Sequence, residues 1–199
     1  MIAIIDYKMG NLGSVKNALD SLNIESVITS DVEVIKKADK LILPGVGAFK
    51  KAMDNLKELD LIDTIKEEVK NGKPILGICL GMQLMFSSSE EYGLTKGLNI
   101  LEGNIIHFKE NGLKIPHMGW NNLDIPSNTK LFKGLDSPYV YFVHSYHLVT
   151  DNLDYLLTKT TYGYEFSCAV EYKNIFATQF HPEKSGDVGL KILKNFGDL

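Results

Sequence analysis

The segment that most constrains this fold is Lys73-Pro-Ile-Leu-Gly-Ile-Cys-Leu-Gly-Met-Gln83. Residues 74–78 make a short, unbroken apolar run, the pattern of a strand buried on both faces of a parallel sheet. The run enters Gly77-Ile-Cys-Leu-Gly81, a Gly-x-Cys-x-Gly pentapeptide, and then a helix-forming stretch over 82–86. Strand, tight turn and helix in that order are the layout of a nucleophile elbow, here with a cysteine at its apex. The flanking glycines allow a sharp turn that pushes Cys79 out of the sheet edge. There the helix dipole and free N–H groups favour the thiolate. A small buried cysteine in a glycine-rich turn has the same spelling, so the assignment depends on the rest of the chain.

That remainder has a βαβ rhythm. Residues 2–7 form an apolar strand followed by a turn at Lys8-Met-Gly-Asn-Leu-Gly13. Leu12, Val15, Leu19 and Leu22 then mark one face of a helix. Further strands are expected over 24–29 and 40–43, which argues for an α/β fold built on a parallel sheet. Leu61, Ile62, Ile65 and Val69 mark another helix, ended by Asn71-Gly72. Residues 87–93 read as a polar loop. From about residue 99 the pattern turns strand-rich, with segments near 99–108, 120–125, 139–149, 155–161, 166–172 and 174–180. A closing helix carries Val188, Ile192, Leu193 and Phe196. The expectation is an open, mostly parallel, doubly wound sheet flanked by helices, with a mixed or antiparallel second half, in a single domain over 1–199.

Bulk properties exclude several function classes. At 199 residues and 44% apolar, the chain can bury a sizeable core. A formal net charge of −4 gives no electrostatic footprint for nucleic acid. No apolar stretch is long enough to span a membrane, and the opening residues read as a strand, not a secretion signal. Two cysteines make no disulfide framework, so a reducing, cytoplasmic setting is expected.

A cysteine nucleophile needs a base. Of His107, His117, His144, His147 and His181, the last stands out in His181-Pro-Glu183. Pro182 biases His181 towards an extended conformation, so Glu183, two residues on, points the same way. The carboxylate can then fix the ring's tautomer and leave the other nitrogen for the thiol proton. Leu43-Pro-Gly-Val-Gly-Ala-Phe49 lacks the third glycine of a dinucleotide fingerprint; a turn whose backbone approaches a small substrate suits it better. Cys168 alternates with Phe166, Val170 and Tyr172 and reads as a packed core residue. His144 and His147 lack the partners of a metal site and read as part of a polar network. No metal and no cofactor are expected.

Gly77-Ile-Cys-Leu-Gly-Met-Gln83 together with Gln179-Phe-His-Pro-Glu183 resembles the triad-type (class I) glutamine amidotransferases. Asp6-Tyr-Lys-Met-Gly-Asn-Leu-Gly-Ser14, the 43–49 turn, Pro116-His-Met-Gly-Trp-Asn121 and Tyr141-Phe-Val-His-Ser-Tyr146 narrow the likeness to glutaminase subunits of imidazole glycerol phosphate synthase. The resemblance implies that Cys79 attacks glutamine, that His181 is base then acid, and that Glu183 orients it. It implies an oxyanion hole from the Leu80 N–H and the turn holding Val46 and Gly47. Gly47, Gln83, Glu91, Ser145 and Tyr146 would hold the substrate, while Asn11, His117, Met118, Trp120 and Tyr141 would lie near a partner. That partner is implied to be a separate cyclase chain, a (β/α)₈ barrel. A sibling activity, such as a chorismate-using amidotransferase, would keep the hydrolysis and change the acceptor. Lys8 departs from the pattern, standing where such families often have glycine.

Overall fold

The structure, a computed structural model, describes residues 1–109 and 112–199. Its first half alternates strand and helix: β1 (Ile2–Ile5), α1 (Leu12–Ser21), β2 (Ser26–Thr29), α2 (Val32–Lys37) and β3 (Lys40–Gly45), then α3 (Phe49–Glu58), α4 (Leu61–Lys70), β4 (Ile75–Cys79) and α5 (Leu80–Leu84). The second half is mostly strand: β5 (Ser88–Ser89), β6 (Thr95–Lys96), β7 (Asn104–His107), β8 (His117–Asn122), β9 (Tyr139–His144), β10 (Tyr146–Val149), β11 (Leu156–Tyr162), β12 (Tyr164–Tyr172) and β13 (Ile175–Thr178). A 3-10 turn, Pro182–Lys184, and α6 (Gly186–Gly197) close the chain.

Strands β2, β1, β3, β4 and β13 lie side by side and parallel, and the sheet continues antiparallel through β12, β10 and β7. Alternation along the parallel strands fills two cores. Ala3, Ile5, Leu41 and Leu43 face α3 and α4, while Ile2, Ile4, Ile42 and Ile78 face α1 and α6. Both faces are covered, which is why these strands are apolar throughout. Strands β8 and β9 stand apart as a two-stranded antiparallel ribbon.

Several expectations are refined. The strand expected over 139–149 is two strands broken at Ser145, because β9 pairs with β8 whereas β10 pairs with β7 and β12. The strand expected near 120–125 starts earlier, at His117, and ends at Asn122. Helix α2 has no counterpart in the sequence reading; its six residues show no apolar period, but Asp31 caps it by accepting from the Glu33 and Val34 N–H groups. Lys8 has φ of 66°, so the glycine-like turn conformation is kept despite the side chain. Among the described residues, no helix is long and apolar enough to cross a membrane.

Candidate active site

Strands β3, β4 and β13 end together, and the site lies at their carboxyl ends, where open α/β sheets hold ligands. Cys79 is the last residue of β4, level with Gly45 of β3. Its φ of 54° and ψ of −109° lie outside the regions L-residues favour. Such a conformation costs roughly 1–3 kcal/mol and persists only where the surroundings impose it. The glycines act through space: neither Gly77 nor Gly81 has positive φ. A Cβ on Gly81 would sit 1.7 Å from the Leu43 carbonyl oxygen, and one on Gly77 would sit 2.9 Å from the Met82 backbone. The glycines therefore let the elbow press onto β3 and α5, while Cys79 itself carries the strained dihedral.

Gly45 and Gly47 divide the same two tasks. Gly47 has φ of 100°, whereas a Cβ on Gly45 would meet the Tyr7 hydroxyl at 2.2 Å and Leu80 Cβ at 3.0 Å. Tyr7 donates to the Pro44 carbonyl at 2.7 Å; its burial, with the nearby Cys79 sulfur, raises the phenol pKa. The turn carrying Val46 and Gly47 is thus pinned beside the start of α5.

His181 follows β13 and is buried. Its Nδ1 lies 2.8 Å from Glu183 Oε1, the expected pair and a buried one; only His181 is extended, however, and the 3-10 turn that begins at Pro182, not alternation along a strand, brings the carboxylate back to the ring. The Ser185 hydroxyl donates to the His181 carbonyl at 2.6 Å and accepts from the Tyr141 N–H, while the His181 N–H donates to the Tyr141 carbonyl. These bonds staple the base's turn to β9. Burial opposes a charged ring, but the Cys79 sulfur and Glu183 override it and raise the imidazole pKa. His181 Nε2 is buried and finds no hydrogen-bond partner among the described residues.

A cleft of about 470 Å³ gathers Cys79, His181, Leu80, Val46, Gly47, Gln83, Glu91, Ser145 and Tyr146, a size suited to one small molecule. Glu183 lies behind His181. Glu91 accepts from the Phe49 N–H, the first of α3, so its carboxylate is already held at the cleft. Tyr92, His107, Pro116 and Val143 also line it and fall outside the sequence-derived set. They come from four separate stretches, and no local pattern links them. A larger cleft of about 830 Å³, lined by the segment that connects β8 to β9, includes Asp124, Lys133 and Asp136 but no cysteine or histidine.

The residues expected near a partner are spread more widely. Met118 and Trp120 are 61% and 57% exposed on the ribbon, with Trp120 edge-on to Tyr141. Asn11 is exposed and caps α1. His117 differs: its side chain is buried, stacked between Phe142 and Tyr162 and bonded to His144. Even-numbered residues of β8 face outward, and His117 falls on the inner face. Cys168 is fully buried, with its thiol donating to the Thr158 carbonyl.

A family model described as "Glutamine amidotransferase class-I" matches residues 3–198. Proteins named imidazole glycerol phosphate synthase subunit HisH are similar throughout. The one from Sulfurimonas denitrificans is 53% identical, covering 98% of this chain and 97% of its own. The one from Syntrophotalea carbinolica is 50% identical, with both chains covered in full at 100%. Among solved structures, a crystal structure of a glutamine amidotransferase superposes with TM-score 0.78 at 20% identity, covering 99% of this chain and 100% of that one. The structure of PurLQS from Thermotoga maritima gives TM-score 0.70 at 19% identity, with 98% and 96% covered. At those identities the superpositions speak for the fold, and the full-length matches carry the classification: the chain belongs to the class-I glutamine amidotransferase family.

Proposed function

We propose that this chain is the glutaminase subunit of an imidazole glycerol phosphate synthase, hydrolysing glutamine to glutamate and ammonia. The observation that carries the reading is the convergence of a strained cysteine, a carboxylate-braced histidine and a glycine turn on one cleft. Glutamine enters with its side-chain amide over Cys79. The thiol proton passes to His181 Nε2 as sulfur attacks the amide carbon. Negative charge on the carbonyl oxygen is met by the Leu80 N–H and one from the Val46–Gly47 turn; each such donor is typically worth roughly 10²–10³ in turnover. His181 then gives its proton to the departing ammonia, leaving a glutamyl thioester. Water attacks that thioester with His181 as base, and glutamate leaves. Gln83, Glu91, Ser145 and Tyr146 hold the amino-acid end, with Glu91 suited to the ammonium.

Ammonia released into water near neutral pH would be mostly protonated and lost as a nucleophile. A second protein chain that receives it directly is therefore chemically sensible, and the relatives are themselves named as synthase subunits. We assign that role to a cyclase chain with a (β/α)₈ barrel, docked over Met118, Trp120, Asn11 and Tyr141. It would yield imidazole glycerol phosphate and an aminoimidazole carboxamide ribotide in the cytoplasm, within histidine biosynthesis. The direct test is to treat the protein with a glutamine-mimicking electrophile and locate the adduct. Modification at Cys79, with glutamate release strengthened by added cyclase and its ligand, is expected. An adduct elsewhere would remove the nucleophile assignment.

A further inference from the structure

A buried chain of hydrogen bonds reaches the sulfur from behind. Gln179 follows β13 and is buried, and its side-chain nitrogen lies 3.7 Å from Cys79 Sγ. Its side-chain oxygen accepts from Gln83 Nε2 at 3.0 Å, and the same Nε2 lies 3.3 Å from the Tyr146 carbonyl oxygen. A backbone carbonyl can only accept. The Gln83 atom facing it must therefore be the nitrogen, whose second hydrogen goes to the Gln179 oxygen. That leaves the Gln179 nitrogen, and only the nitrogen, facing the sulfur.

The same carbonyl sets the polarity of a second branch. Tyr146 O accepts from His144 Nδ1 at 2.8 Å, so His144 Nε2 is an acceptor, and it takes the His117 Nδ1 hydrogen at 3.0 Å. The carbonyl is held from two sides and cannot turn away without breaking both branches. It is available because the Phe108 N–H bonds to the Ser145 carbonyl, so in the alternating antiparallel ladder the next pair, Tyr146 and His107, is a non-hydrogen-bonded one and the Tyr146 carbonyl turns away from β7.

We propose that Gln179 is a positioning residue for the nucleophile, donating an N–H to Cys79 Sγ so that the sulfur is held facing His181 and the charge it carries in attack is stabilised. The buried His181 Nε2 has no other partner among the described residues, so the proton shared by ring and sulfur has nowhere else to go. The amide thus holds the sulfur in the orientation from which attack begins. Gln179 does not line the cleft, so it acts through Cys79 and not through glutamine. The inference rests on the glutaminase reading for its turnover arm alone.

Gln179→Met keeps length and volume and removes the donor. Its kcat for glutamine hydrolysis is expected to fall about tenfold with KM within about twofold, the signature of an interaction used after binding. Carbamidomethylation of Cys79 by iodoacetamide, followed by mass spectrometry, is expected to slow by about tenfold, the scale of one modest hydrogen bond. A folded variant with unchanged kcat and labelling rate overturns the proposal. If the variant does not fold, the side-chain amide resonances of Gln179 are compared between the native protein and Cys79→Ala; they move if the amide donates to sulfur, and unmoved resonances overturn it. Labelling needs no glutamine, so wild-type protein that labels at Cys79 yet releases no glutamate would count against the glutaminase reading, not against Gln179.

Discussion

The chain holds two buried thiols in opposite circumstances. Cys168 sits within the long strand β12, which runs between β11 and β13, at the bulge where the β11 register shifts beside Thr158, and its hydrogen is given to the Thr158 carbonyl. Burial raises its pKa and keeps it a neutral packing residue. Cys79 is nearly as enclosed, 7% exposed against 0%, but it ends a strand in a dihedral region that cysteine rarely adopts. Around it stand an amide donor, a braced imidazole and an open cleft. Exposure barely separates the two; backbone conformation and polar neighbours do.

The harshest test of that contrast is to remove each sulfur. Cys79→Ala is expected to abolish glutamate release while leaving the partner's use of free ammonia intact. Cys168→Ala should keep turnover within about twofold and cost about 1 kcal/mol of stability, the scale of a small core truncation. Comparable loss of activity in both variants would erase the distinction. Next in size is the base: His181→Ala should lower kcat by about 10²–10⁴, the usual reach of positioned proton transfer. Glu183→Gln should retain more activity, because the ring remains but is poorly oriented; steady-state glutamate release measures both.

The two cysteines can be told apart in the sequence because their signals are local. Gly77 to Gly81 and His181 to Glu183 are contiguous, and each fragment carries its own geometry. Gln179 is visible there only as a letter two places before His181: its role depends on Gln83, 96 positions away, and on the backbone carbonyl of Tyr146. The reason for the glycines is hidden in the same way. Their spacing suggests conformational freedom, while the need for space at Gly81 arises from the Leu43 carbonyl of another strand. Strands β5 and β6, two residues each, lie too close to the length of a turn for any periodicity to register.

Histidines sharpen the comparison through pH. His144 and His117 are pushed down to about 3 and about 4, in each case chiefly by burial. Both are neutral in the folded state and become protonated in the unfolded chain below about 6.5. Their contribution to stability is therefore intact above pH 6.5 and is lost as pH falls towards their folded values. Each costs about 1.4 kcal/mol per pH unit through that window. His181 has the opposite sign: its pKa is raised, so its contribution is full below the unfolded value and declines as pH rises through the folded one. Denaturant titrations between pH 6 and pH 4.5, about the middle of that window, should show a flatter slope for His144→Gln than for the native protein. An unchanged slope would mean that the buried pair does not stay neutral.

The smallest expected effect is the most discriminating, because it changes sign between the two sites. At a position with φ of 54°, a Cβ is a liability, and glycine relieves it. Cys79→Gly should therefore be more stable than Cys79→Ala by about 1 kcal/mol, the lower end of the strain such backbones store. Cys168 lies at the bulge where the β11 register shifts between Thr158 and Lys159, but its φ is not positive, so glycine relieves nothing there and only adds entropy to the unfolded chain; Cys168→Gly should be less stable than Cys168→Ala by about the same amount. Chemical denaturation of the four variants reads both differences without reference to activity. If glycine is the worse residue at both sites, the strain assigned to the elbow is not there, and the cysteine's poise must come from its neighbours alone.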